Sequence, residues 1–219
     1  ASQLLENFTA EDRNFNLEEL NSIDRWIVSK LQYVIQTATK QMENYEYSFA
    51  KSTIEHFFMS DVADNYIEIV KQRLWKPEEF GAEQAKKAQK ALYNVLYNSL
   101  KGLSPFTPFI TESVYQTFYK QFELTTSIHQ TSWPVSNAEF MVQSNVDNGN
   151  LFVEVVKSVR KFKAEKQISM KEELSSLTIS CSQQTKEFIE DSIVDLKNVT
   201  SVKEVLFKIS EDFSVEISQ

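Results

Sequence analysis

Apolar residues recur along the first two thirds of this chain at steps of three and four, the spacing that gathers side chains on one face of an α-helix. Ile23, Trp26, Ile27, Leu31, Val34, Ile35, Ala38 and Met42 predict a first helix over about 23–45. Ser22 is positioned as its N-cap, and Asp24 falls in the first turn, where the helix dipole favours a negative charge. Phe49, Ile54, Phe57, Phe58, Val62, Tyr66, Ile69 and Val70 mark a second helix over 48–75, stopped by Pro77. Ala85, Ala88, Leu92, Val95, Leu96 and Leu100 mark a third over about 82–103. The break "SPFTPF" follows, and Pro108 suits the first turn of a fourth helix over 108–122, with Ile110, Val114, Phe118 and Phe122 in line. Four such helices on short links are expected to close as an antiparallel bundle.

Residues 123–140 are rich in Ser and Thr and carry Trp133-Pro134, which reads as an extended loop over the end of that bundle. Leu151, Phe152, Val155, Val156, Val159 and Phe162 predict a fifth helix over about 149–167. Beyond Ile168 the texture changes. "LSSLTISC" reads as a strand and "QTKEFIEDSIVDLKNV" as a helix, while "SVKEVLFKIS" and "FSVEIS" alternate in the manner of strands. The expected fold is therefore mainly α: an antiparallel helical bundle followed by a small α/β unit. Its divisions are a linker over 1–20, a bundle over 21–145, and a connecting helix with the α/β unit over 146–219.

Composition supports this picture and removes several chemistries. Three glycines and four prolines among 219 residues suit long helices with few tight turns. They leave no Gly-rich phosphate cradle. One cysteine, Cys181, precludes an internal disulfide and suits a reducing compartment, here taken as the cytoplasm. No apolar run approaches the ~20 residues of a membrane span. "ASQLLENFTAEDRNF" has neither an initiator Met nor the basic-then-apolar pattern of a signal peptide, so we expect a segment from within a longer protein.

The chemistry-bearing residues are sparse. His56 and His129 belong to no metal-binding spacing, and Cys181 has no histidine nearby in sequence to activate it. Asp61, Asp64 and Glu68 share a predicted helical face and read as a solvated surface rather than an acid/base pair. No catalytic residue and no metal are expected. What stands out is positive charge. Lys71, Arg73 and Lys76 gather at the end of the second helix, although the chain as a whole carries −8. Lys157, Arg160, Lys161, Lys163 and Lys166 follow on the fifth helix, continued by Lys171. Cations beside Tyr66 and Trp75 suit RNA, with charges on phosphates and aromatic planes on splayed bases. The same charges would also merely complement helix C-termini, so both readings stand.

Four strings then fall in a recognisable order. "DRWIVSKL" opens the first helix, "NYIEIVKQRLW" closes the second, and "SPFTPFITESVY" and "SIHQTSWP" come after them. Together they resemble the C-terminal anticodon-binding region of class I aminoacyl-tRNA synthetases of the valine/isoleucine/leucine group, nearest to the archaeal-style valine enzymes. "VRKFKAEKQISMKEEL" is similar to the helix that follows the bundle in that family. The resemblance implies a bundle that docks on the anticodon stem-loop of a valine tRNA. It also implies a parent ligase whose separate catalytic domain uses ATP, with no cofactor in this segment. The catalytic signatures have no counterpart here. "ISMKE" only echoes one of them, beyond the bundle, and the family's C-terminal coiled coil is not evident. On this reading Lys71, Arg73, Lys76, Arg160, Lys161, Lys163 and Lys166 meet tRNA, some of the fifth-helix lysines face the parent's catalytic domain, and Tyr66 or Trp75 stacks on a base. The isoleucine and leucine enzymes, and a non-catalytic protein-interaction module, remain the alternatives.

Overall fold

The computed structural model describes residues 8–218, so residues 1–7 of the expected linker lie outside it. The first helix, α1, is Ser22–Glu43. Helix α2 runs continuously over 47–75 and has three parts: an α-helical stretch Tyr47–His56, a π-helical stretch Phe57–Tyr66, and a second α-helical stretch Ile67–Trp75. In the π stretch backbone bonds reach five residues back, as from Ile67 N–H to the Val62 carbonyl. The Asn65 side-chain amide donates to the Ser60 carbonyl across the same five-residue span at 2.6 Å. One turn, Pro77–Phe80, and Gly81 at φ +95° lead into α3, Ala82–Leu103. Helix α4, Pro108–Val114, passes into a π turn at Tyr115–Tyr119. Helix α5, Gln143–Glu165, begins six residues before the predicted start.

The mainly α architecture is as the periodicity indicates, with local differences. Asn21, not Ser22, is the N-cap of α1. Ser22 is buried and its hydroxyl is spent on tertiary bonds, donating to the Phe188 carbonyl at 2.5 Å and lying 2.8 Å from the Ser192 hydroxyl. In α4 the buried face is displaced by one position from the predicted stripe. Tyr115 and Tyr119 are buried while Ile110 is exposed. The physical reason is the tyrosine hydroxyl, which permits burial where a partner exists: Tyr115 Oη donates to the Thr125 carbonyl at 2.8 Å.

The 123–140 segment lies along α1. Trp133 Nε1 donates to Thr39 Oγ1 at 2.9 Å, and the Asn137 amide donates to Gln32 Oε1 at 2.9 Å. Helix α5 lies against α1, and Gly149 makes that approach possible. A Cβ there would sit 2.1 Å from the Trp26 ring, which is fully buried.

After α5 come β1 (Leu174–Cys181), α6 (Gln183–Asp191), α7 (Ile193–Thr200), β2 (Val202–Ile209) and β3 (Ser214–Ser218). The predicted single helix is two, parted at Ser192, whose hydroxyl accepts from the Ile23 amide at 3.2 Å. The sheet order is β2-β1-β3, with β2 parallel and β3 antiparallel to β1. Leu177 pairs with Val205 and Ile217, and Ile179 with Phe207 and Val215, so apolar residues share one face. One hydrophobic cluster runs from α1, α2, α3 and α5 through this sheet to α6 and α7. A second, mostly aromatic, joins Phe8, Tyr93, Tyr115, Tyr119 and Ile128.

Candidate nucleic-acid interface

Arg73 is on the buried face of α2 and only 2 % exposed. Its Nη1 and Nη2 donate to the two oxygens of Asp24 at 3.0 and 2.8 Å, its Nε donates to Asp195 Oδ1 at 2.9 Å, and Nη1 also reaches the Gln84 carbonyl at 3.2 Å. Tyr66, fully buried, donates its hydroxyl to Asp24 Oδ1 at 2.7 Å. The expectation that Arg73 contacts phosphate and that Tyr66 stacks on a base is corrected here. Both are spent on a clasp that joins α1, α2 and α3 to α7. A buried guanidinium needs carboxylates to offset its lost hydration, and it finds two. That surrounding negative charge raises the Arg73 pKa even against burial. Burial pushes the Asp195 carboxyl up to about 7, against the pull of Arg73.

Lys163 is corrected likewise. It is buried, and its Nζ donates to the carbonyls of Met170 and Glu172 at 3.0 and 2.6 Å, pinning the 166–172 turn to α5. The remaining predicted cations are accessible. Lys71 pairs with Glu68, Lys76 with Glu79 at 3.0 Å, and Lys161 with Glu165 at 3.9 Å. Lys166 is exposed, and Trp75 is 58 % exposed. Of the three carboxylates read as a solvated face, Asp64 is exposed and Glu68 partly so. Asp61 is partly buried and holds Lys30 at 2.7 Å.

Two features carry the surface that is left. The first is a cleft of about 590 Å³ between α2, α5, the 166–172 turn and α7, where Lys71, Arg160 and Lys171 come together. It unites part of the second-helix cluster with part of the fifth-helix cluster. The second lies at the end of the bundle where α1 turns into α2 and α3 into α4. Tyr45 is 79 % exposed there, Phe49 63 % and Phe109 91 %, with Tyr47 and Ile110 also open. Of the expected α2 stripe, Ile54 is buried as predicted, while Ala50 takes the inward position next to Phe49. Tyr45 holds a left-handed backbone, φ +62°, and its ring meets the Tyr47 ring edge-on at 6.1 Å. Large aromatic planes held open on a packed bundle end are unusual for a surface without a ligand. The sequence signal for them was the "YEYSF" string at the helix junction.

Residues 24–179 match the family described as the anticodon-binding domain of tRNA ligase. This chain belongs to that family. As an anticodon-binding domain it spans the bundle, α5 and most of β1. Its relatives include the valine–tRNA ligase of Methanopyrus kandleri, 34% identical over 88% of this chain and 21% of the relative. Those of Rickettsia conorii and Thermococcus kodakarensis are 35% and 33% identical over 92% and 93% of this chain. The chain spans 24% and 22% of these two relatives, so about a quarter or less of the length of each. No helix of the described residues is long and apolar enough to cross a membrane.

Proposed function

We propose that this domain holds the anticodon stem-loop of a valine tRNA for a ligase that joins valine to that tRNA with ATP. The single observation that carries the reading is the family match over 24–179, with relatives named valine–tRNA ligase supporting the choice of amino acid. The open aromatic end of the bundle supports a role in receiving unstacked loop bases, since base–aromatic stacking accepts any base. Lys71, Lys76, Arg160, Lys161 and Lys166 then meet backbone phosphates, and Trp75 offers a further plane. ATP and valine belong to a catalytic domain of the parent enzyme, which is also this domain's partner within the chain. The setting is the cytoplasm.

The test is binding of the chain to valine, isoleucine and leucine tRNAs over a salt series. Preference for the valine tRNA is expected, with log K falling linearly as log salt rises. A flat salt dependence would remove phosphate contacts. Tighter binding of the isoleucine or leucine tRNA would remove the valine assignment.

A further inference from the structure

Between α2 and α7 the surface is built with more donors than the protein itself satisfies. Arg160 spends one Nη1 bond on the Asp64 carbonyl at 3.3 Å, and the rest of its planar fork makes no bond among the described residues. The Lys171 ammonium has no carboxylate partner among the described residues. The Nδ2 of Asn198, buried from solvent on the α7 side, has no hydrogen-bond partner. Asn198 lines this cleft of three cations, and because its Nδ2 is enclosed, a turn about the Cβ–Cγ bond is needed to present that unpaired donor to an acceptor there. Two carboxylates share the cleft. Asp64 is turned toward solvent, and Glu68 holds Lys71 across one helical turn.

From this juxtaposition we infer that the cleft of Lys71, Arg160, Lys171 and Asn198 is a phosphodiester site, which makes the C-terminal α/β unit part of the RNA grip. The inference rests on the tRNA reading above and adds to it a place and a stoichiometry. Arg160 supplies a forked contact to two phosphate oxygens, Lys171 a point charge from the 166–172 turn, and Asn198 a neutral donor. Glu68 occupies Lys71 when the cleft is empty, and the incoming phosphate displaces it.

The experiment measures valine tRNA binding by the wild-type chain and by Arg160→Ala, Lys171→Ala, Asn198→Ala and Glu68→Gln, each across a salt series. Arg160→Ala and Lys171→Ala are each expected to weaken binding about tenfold and to reduce the salt slope by about one. Asn198→Ala is expected to weaken binding without changing that slope, because amide and methyl are both neutral. Glu68→Gln is expected to tighten binding several-fold by releasing Lys71. Thermal melts identify any variant that fails through misfolding, and Lys171 is exposed, so Lys171→Ala reports on the cleft even if the others unfold. A wild-type chain that binds no tRNA sinks the tRNA reading itself. A wild type that binds, with Lys171→Ala and Arg160→Ala unchanged in affinity and slope, overturns the cleft alone. Titration with inorganic phosphate separates the sources. Little occupancy at millimolar phosphate is expected, and saturation there would make this a small-anion pocket and overturn the backbone assignment.

Discussion

Arg73 and Asp195 meet at 2.9 Å inside the protein, 122 residues apart in sequence, and Asp24 closes the other side of the same guanidinium at 2.8 Å. Removing the cation leaves Asp24 and Asp195 buried without the donor that both share. Arg73→Met is therefore expected to destabilise the fold by about 3–5 kcal/mol, the cost typical of breaking a buried pair by one partner. Urea denaturation checks this. Below the transition, tRNA affinity of the variant should match wild type, because Arg73 makes no surface contact. A stable variant with lost RNA binding would reverse that assignment.

Asp195 also gives the stability a direction in pH. Its carboxyl titrates at about 7 when folded and at 3.8 in the ordinary state, raised by burial against Arg73 and further by Asp24 and Asp191. Across that window the folded protein keeps a proton that the unfolded chain has released. Its contribution is therefore full below pH 3.8 and is lost as pH rises to about 7. Denaturation midpoints should fall between pH 5 and 7.5 in the wild type, and this component should vanish in Asp195→Asn. Asp12, Glu19 and Glu112 work the other way. Their hydrogen bonds, for Asp12 against the push of burial, hold them below the usual carboxylate range, so what they add is lost as pH falls below that range.

At the open end of the bundle, Phe49 and Phe109 can be truncated without touching the core. Phe49→Ala and Phe109→Ala should leave the melting temperature within about a degree or two, since exposed substitutions change stability little. If each stacks on a base, each costs about 1–3 kcal/mol in binding of the anticodon stem-loop, read by fluorescence titration. Unchanged affinity in the double variant would take the aromatic end out of the interface.

Gly149→Ala carries a different kind of cost. The added methyl would lie 2.1 Å from the fully buried Trp26 ring. Helix α5 must then move off α1, for about 1–3 kcal/mol or more of overpacking. A thermal melt measures it. Replacing Trp26 with Leu in the same chain should recover part of the loss, because the smaller side chain makes room.

Helix positions were legible because the buried stripes are long and regular, and α3 falls on its predicted residues. What sequence left open was the meaning of a charge lying on such a stripe. Arg73 is four residues after Ile69, and Lys163 is four after Val159, so both spacings already placed them inward. Burial of a cation depends on its partners, and those partners are the Asp195 and Asp24 carboxylates for one and the Met170 and Glu172 carbonyls for the other. Distant pairings of that kind leave no trace in local periodicity. The aromatic end was missed for a simpler reason. Phe49 lies five residues before Ile54, about 140° around the axis, so Ala50, four before Ile54, takes the inward position and Phe49 faces out.

The π-helical stretch Phe57–Tyr66 sets the angular phase of everything after it. In an unbroken α-helix the steps from Phe57 to Arg73 would leave the two side chains roughly 160° apart around the axis. The wider turns absorb that offset and return Arg73 to the side that Phe57 faces. Deleting Met59 would let the helix wind uniformly and leave the two side chains about 60° apart, so Arg73 would still face Asp24 and Asp195. The wide turns thus lodge one surplus residue without turning the guanidinium away from its carboxylates.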